Sequence, residues 1–146
     1  MKQRTFNVLA IAVVVGAAVL ATRWPRLNVV ESGRMPEYPD LRDRELAAPE
    51  AAVAKAAKAA AATLPNWTLV GAGQGRGGTA IQAIASTPPG LKSEMTISIR
   101  RQGAKTLVHG HARSTFGPWD FGRGARHLED FFEAFDREMA GGGPRR

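Results

Sequence analysis

The sequence contains no cysteine, and this absence removes several classes of chemistry. A disulfide framework, a thiolate nucleophile and a cysteine-ligated zinc or iron–sulfur site are all excluded. A lipid anchor on cysteine is excluded for the same reason. The stability of any folded domain must therefore come from packing and hydrogen bonding.

Catalytic motifs are also lacking. The chain has three histidines, with no H-E-x-x-H pair, no G-x-S-x-G elbow and no P-loop lysine. Ser98 and Ser114 have possible histidine neighbours but lie in no positional signature of a nucleophile. Residues 73–78 satisfy G-x-G-x-x-G, yet a strand pattern follows them, which favours a hairpin over a phosphate loop. We therefore expect a protein that is not an enzyme and that carries no cofactor.

Runs of basic residues are missing as well. The formal net charge is +7, but the lysines and arginines are scattered and do not alternate with aromatic residues. Three of them, Lys2, Arg4 and Arg23, flank a single apolar segment at the start of the chain. The remainder is only mildly basic, which argues against a nucleic-acid partner.

The most informative feature that is present is this apolar segment, FNVLAIAVVVGAAVLA over residues 6–21. No charge occurs over residues 5–22, which as a helix would be about 27 Å long, close to the roughly 30 Å of a bilayer core. We therefore predict that residues 1–23 are a transmembrane signal-anchor in contact with the lipid bilayer. The anchor residues are Phe6, Leu9, Ile11, Val14, Leu20 and the interfacial Trp24.

The flanking charges predict the orientation of this span. Lys2 and Arg4 precede it with no acidic residue among them, so the N-terminus is expected to be cytoplasmic and the rest periplasmic. The predicted location is the bacterial inner membrane, with a single pass. A cleaved signal peptide remains the alternative because residues 19–21 resemble a cleavage site, although Arg23 and Trp24 follow immediately.

Residues 24–48 are predicted as a tether, because they contain three prolines and mixed charges without helical or strand periodicity. Apolar residues such as Val30 and Leu41 are expected to dock part of it on the domain that follows. That domain is predicted to span residues 49–140, and residues 141–146 are predicted to be a disordered tail.

Two helices are predicted in this domain. The first begins at Pro49 and Glu50, is rich in alanine, and ends before Pro65. The second carries an apolar stripe at helical spacing opposite several acidic residues. The stripe consists of Leu128, Phe131, Phe132, Phe135 and Met139.

Four strands are predicted between the helices, beginning near Trp67, Thr79, Glu94 and Thr106. In the third, Met95, Ile97 and Ile99 alternate with polar residues, which is typical of a sheet covered on one face. The sequence therefore predicts an α+β domain with a four-stranded, mainly antiparallel sheet.

The candidate ligand-binding residues cluster in the last third of the chain. His109 and His111 are two residues apart on a predicted strand and should project from one face. Hydrogen-bonded or solvated imidazoles are favoured over a metal site, and Asp120 is expected to cap the last helix, with Arg113 available as its partner. The candidate set is His109, His111, Arg113, Asp120 and His127.

Three segments resemble the DUF1499 family, whose members are small envelope or organelle domains. They are Leu64-Pro65-Asn66-Trp67, Ile81-Gln82-Ala83, and the stretch over residues 114–122. The residues of the family pattern that this chain retains are Ser114, Gly117, Asp120 and Gly122. It departs from the usual arginine, asparagine and arginine of that pattern at Thr115, Gly124 and His127. The resemblance implies a preserved architecture and no particular reaction.

These features together predict a non-catalytic accessory subunit or assembly factor. It would dock from the periplasmic side on a larger membrane protein complex, whether respiratory, photosynthetic or a transporter. The alternative is an envelope domain that binds a small molecule, a lipid or a metal. A hydrolase comes third, because it requires a nucleophile–histidine pair that the sequence does not indicate.

Overall fold

A computed structural model describes residues 28–117 and 120–141. They form an α+β domain in which one sheet of six strands is accompanied by two helices, as the sequence predicts for the fold class. The strands are β1 (Val29–Glu31), β2 (Arg44–Leu46), β3 (Trp67–Gly75), β4 (Gly78–Thr87), β5 (Leu91–Gln102) and β6 (Lys105–Ser114). The helices are α1 (Glu50–Thr63) and α2 (Arg123–Met139).

The four long strands form an antiparallel meander. The sheet order is β1-β6-β5-β4-β3, and β2 also pairs with β6, so β1 and β2 together flank one side of β6. Arg76 and Gly77 form the turn between β3 and β4, which confirms the predicted hairpin at the glycine-rich segment. The meander leaves β3 as the opposite edge of the sheet.

The prediction of four strands is wrong, because β1 and β2 lie in the segment predicted as a tether. Each has three residues, too few to show an alternating pattern, and each is held by pairing with β6 across a long stretch of sequence. Val30 and Leu41 are buried in the main core, which confirms that this segment docks on the domain.

Three predicted features fall outside the described residues: the anchor with Phe6, Leu9, Ile11, Val14, Leu20 and Trp24, the first residues of the tether, and positions 142–146 of the tail. In the two described ranges, neither helix is long and apolar enough to cross a bilayer.

Helix α1 lies close to the sheet because its inward face is made of small residues. Ala57, Ala60 and Ala61 are fully buried. Pro49 occupies the N-cap position, and the helix ends one residue before Leu64-Pro65, where the chain turns into β3. Alanine at these positions thus favours the helical conformation and also lets α1 lie close to the sheet.

Helix α2 supplies the aromatic centre of the core. The ring centroid of Phe131 lies 5.6 Å from that of Trp67, 5.4 Å from that of Phe132 and 6.0 Å from that of Phe135. Gly110 on β6 permits this packing, because a Cβ there would lie 2.7 Å from a methyl group of Leu128. The apolar stripe of the sequence is therefore the main contact between α2 and the sheet.

The sheet has two different faces. The face toward the helices is apolar and buried, and includes Ile81, Met95, Ile97 and Ile99. On the other face, here called the open face, the alternate residues of β4, β5 and β6 are half-buried or exposed, except for the buried Leu107. Polar side chains from three strands are therefore brought together on the open face.

Candidate functional site

The five candidate ligand-binding residues do not converge. His109, His111 and Arg113 alternate along β6 and project from the open face. Asp120 and His127 are buried on the side of the sheet where α2 packs. A ligand held by all five is therefore impossible in this fold.

Asp120 caps the start of α2, as predicted. Its Oδ1 accepts a hydrogen bond from the backbone of Gly122 at 2.8 Å, and its Oδ2 accepts one from that of Gly124, also at 2.8 Å. Gly124 makes room for this contact, since a Cβ would lie 2.7 Å from the carboxylate. The expected partner Arg113 instead lies 3.9 Å from Glu94 on the open face. Asp120 is thus fully occupied in holding the helix.

His127 is a buried, hydrogen-bonded imidazole. Its Nε2 lies 3.0 Å from Oγ1 of Thr87, and its Nδ1 lies 3.4 Å from Nδ2 of Asn66. Burial is the main cause that lowers the pKa of His127 below its ordinary value of 6.5, while the carboxylate of Asp130 acts in the opposite direction. The neutral ring of His127 therefore packs on the buried face of α2.

This lowered pKa predicts a pH dependence of stability. Below pH 6.5 the unfolded chain takes up a proton at His127 that the folded chain resists, so the free energy of unfolding falls as pH falls below that value. We expect the urea midpoint of unfolding to change less between pH 5 and pH 7.5 for His127→Gln than for the unaltered chain. Parallel curves would contradict this linkage.

A cluster of polar residues that the sequence does not indicate surrounds His109. Its Nδ1 lies 2.8 Å from Oδ1 of Asp43 and 3.3 Å from Oγ of Ser32. The Ser32 hydroxyl donates a hydrogen bond to Asp43 and accepts one from the backbone of Gly110 at 2.8 Å. We call Ser32, Asp43 and His109 the Asp43–His109 cluster.

The break between β1 and β2 creates this cluster. β1 pairs with residues 111–113 of β6 and β2 with residues 106–108, so the intervening backbone of β6 lacks a ladder partner from either strand. Ser32 fills this gap with its own backbone N–H to Gly110 and with its hydroxyl. Gly33 has φ of +70°, and a Cβ there would lie 3.1 Å from the Asp43 carboxylate. The hydrogen bonds that the β6 backbone requires and the turn at Gly33 therefore place the Asp43 carboxylate next to His109.

A cleft of about 240 Å³ lies beside the Asp43–His109 cluster. Ser98 is paired directly with His109 across β5 and β6, although within the described chain no hydrogen bond joins their side chains. The residues lining the cleft are Arg34, Asp43, Gly77, Ser98, Arg100 and His109. Among residues 28–117 and 120–141, no group of three or more histidine, aspartate or glutamate side chains is arranged to hold a metal.

A second feature is the edge of the sheet at β3, which no other strand of the described residues covers. All of its residues except Trp67 are exposed, including Leu69 at 43% and Val70 at 64%. A groove of about 470 Å³ runs between this strand and α1. The groove is lined by Ala51, Ala54, Lys55, Lys58, Ala72, Gly73, Gln74 and Thr79. The sequence pattern predicts an end of this strand near Val70 because the glycines that follow are more typical of a loop. This prediction is wrong, because residues 71–75 continue the strand by pairing with β4.

Comparison with protein-family models matches residues 19–135 to a family described as a protein of unknown function, DUF1499. The match covers most of the chain. The chain belongs to the DUF1499 family. The resemblance seen in the three sequence segments is thereby confirmed. No curated protein and no solved structure matches the chain.

The DUF1499 residues that the chain retains hold the connection between β6 and α2. Ser114 Oγ accepts a hydrogen bond from Nη2 of Arg123 at 2.9 Å, and Gly117 and Gly122 have φ of +71° and +76°. Among the positions that depart from the family pattern, Thr115 donates to the carbonyl of Lys92 at 3.0 Å. Both groups of residues therefore have structural contacts in this member of the family.

Proposed function

We propose that this DUF1499 chain is a non-catalytic accessory subunit or assembly factor of a larger membrane protein complex. Residues 1–23 would hold it in the bacterial inner membrane, and the domain would dock from the periplasmic side. Respiratory, photosynthetic and transport complexes are the candidate partners. The observation that carries the proposal is the free edge of β3.

An unpaired edge strand presents backbone N–H and C=O groups to any other strand, and proteins usually protect such edges with charges, proline or a covering segment. Strands β1 and β2 flank the opposite side of the sheet. β3 contains neither a charged residue nor proline, and its one irregularity is the register shift between Leu69 and Gly71, which leaves a regular edge over residues 71–75. A Cβ at Gly71, Gly73 or Gly75 would meet no described atom within 4 Å, so the faces of β3 next to this edge are uncovered at these positions. This edge is suited to the addition of a strand.

The occupant that fits this edge is an extended, acidic segment of the partner protein. Lys55 and Lys58 line the groove next to β3, and neither forms an ion pair within the described residues. Acidic side chains of an added strand would neutralise these cations. The exposed side chain of Val70, at the register shift of β3, supplies an apolar contact next to the regular part of the edge.

Co-purification from native membranes tests this docking. The tagged full-length chain, extracted in mild detergent, should recover an integral membrane protein as a stoichiometric partner. Val70→Glu and the double variant Lys55→Glu/Lys58→Glu should each lower that recovery about tenfold or more, because each places a negative charge opposite the acidic segment.

Lys92→Glu is the matched control for charge reversal. Lys92 is exposed on β5, away from the groove, and its replacement should leave recovery of the partner unchanged. Purification of the full-length chain alone would contradict the proposal. Equal recovery with Val70→Glu and with Lys92→Glu would contradict the assignment of the β3 edge.

The second candidate function is that of an envelope domain that binds a small molecule, a lipid or a metal. The observation that favours it is the cleft beside the Asp43–His109 cluster. A ligand at 100 times its dissociation constant stabilises the folded state by about 2.7 kcal/mol. Ligand-dependent melting of the full-length chain, together with metal analysis, distinguishes this function from docking alone.

A further inference from the structure

We propose that the cleft beside the Asp43–His109 cluster binds a phosphate group, either inorganic phosphate or a phosphomonoester, through Arg34, Arg100 and His109. This site goes beyond the docking function and lies on the open face, whereas the docking groove lies between β3 and α1. The two proposals therefore stand or fail separately.

The charges around the cleft favour an anion. Arg100 lines the cleft and forms no ion pair or side-chain hydrogen bond within the described chain. In the described parts of the chain Arg34 is paired only with Glu31, at 3.5 Å and in an exposed position, where such pairs contribute little. Among the described residues, Asp43 is the only acidic one that lines the cleft, and its carboxylate already accepts hydrogen bonds from Ser32 and His109. The guanidinium of Arg100 is thus left without an anionic partner within the described chain.

His109 supplies a third anion-binding group, and its ring is held in place before any anion binds. Its Nδ1 is engaged by Asp43, which holds the ring, and its side chain is only 18% exposed. Its Nε2 makes no hydrogen bond within the described residues. A protonated ring would donate from Nε2 to an anion in the cleft while Asp43 accepts from Nδ1. The buried Ser32 hydroxyl supports this arrangement from behind.

Phosphate suits this set of donors because it has more oxygens than the two of a carboxylate and can accept from several donors at once. The planar guanidinium fork matches pairs of phosphate oxygens, and the Ser98 hydroxyl beside His109 offers a further donor. The cleft volume of about 240 Å³ is below the roughly 300–1,000 Å³ of pockets that enclose whole drug-sized ligands. It therefore suits a free phosphate ion or the phosphomonoester headgroup of a lipid, with the rest of the molecule outside.

Calorimetric titration of the full-length chain in detergent micelles tests the site. The two probes are inorganic phosphate and water-soluble dihexanoyl phosphatidic acid, each added separately. Arg100→Gln and His109→Gln should each weaken binding by about tenfold to a hundredfold, as expected for loss of a hydrogen bond to a charged group. Arg113→Gln, on the same face but paired with Glu94, should change the affinity by less than about twofold.

The outcomes are distinct. Equal affinity for the two probes identifies a site for free phosphate, whereas clearly tighter binding of the phosphatidic acid identifies a site for a lipid headgroup. Absence of saturable phosphate binding by both probes overturns the proposal. Because Arg100 is exposed, Arg100→Gln should keep the melting temperature of the unaltered chain, and unchanged binding by this folded variant also overturns it. Lys55→Glu/Lys58→Glu should retain the affinity for phosphate.

Discussion

Replacement of Phe131 by alanine is expected to lower the free energy of unfolding by about 3–5 kcal/mol. Phe131 is fully buried and lies between the rings of Trp67 and Phe135, with Phe132 against its edge. Truncation removes these contacts and leaves a cavity between α2 and the sheet, because neighbouring rings cannot all move inward. The aromatic centre of the core therefore depends on this side chain.

Urea or thermal unfolding of the full-length chain, followed by tryptophan fluorescence, measures this loss. A loss of this size lowers the melting temperature of a domain of about 100 residues by roughly 12–40 °C. The matched control is Phe116→Ala, since Phe116 is 66% exposed and its loss should change the free energy of unfolding by less than about 0.5 kcal/mol. Similar losses for Phe131→Ala and Phe116→Ala would show that the stacked rings are not the centre of the core.

Replacement of Asp120 by alanine is expected to lower the free energy of unfolding by about 2–5 kcal/mol. The variant leaves the backbone N–H groups of Gly122 and Gly124 buried without their acceptor at the start of α2. It also removes a negative charge from the N-terminal end of the helix, where that charge is favourable. The loss should appear in equilibrium urea unfolding at neutral pH.

Two comparisons make this prediction specific. Asp120→Asn keeps one acceptor oxygen and should recover part of the stability that Asp120→Ala loses. Asp40→Ala removes an exposed carboxylate and should change the free energy of unfolding by less than about 0.5 kcal/mol. If Asp120→Ala were as stable as Asp40→Ala, the carboxylate would not be the cap of α2.

The elements that could be predicted from the sequence are those whose signals are local. The apolar stripe with Phe131 and Phe135 repeats every three or four residues, and it forms the buried face of α2. Likewise, Met95 and Ile97 alternate with polar neighbours, and they point into the core from β5. Proline at position 49 marks the start of the first helix, because proline lacks the backbone N–H that a residue inside the helix donates.

The features that could not be predicted depend on contacts between distant parts of the chain. Ser32 and His109 are 77 residues apart, and Asp43 and His109 are 66 apart, so no spacing rule indicates the Asp43–His109 cluster. The strands β1 and β2 are equally invisible because three residues cannot display a period.

The candidate binding residues show the same division. His109 and His111 lie on one face, as predicted, since the period of a strand determines this. Their separation from Asp120 and His127 could not be foreseen, because it depends on how the chain passes from β6 into α2. The binding role proposed for His109 therefore rests on partners from the loop before β2, and not on the residues next to it in sequence.

The most direct test of the docking function is a photoreactive amino acid placed at Val70 of the full-length chain in native membranes. A matched probe at Lys92 provides the background. We predict that illumination links the Val70 position, and not the Lys92 position, to an acidic, extended segment of an integral membrane protein. An absence of cross-links from Val70 above the Lys92 background, or cross-links only to a second copy of this chain, would contradict the docking function assigned to β3.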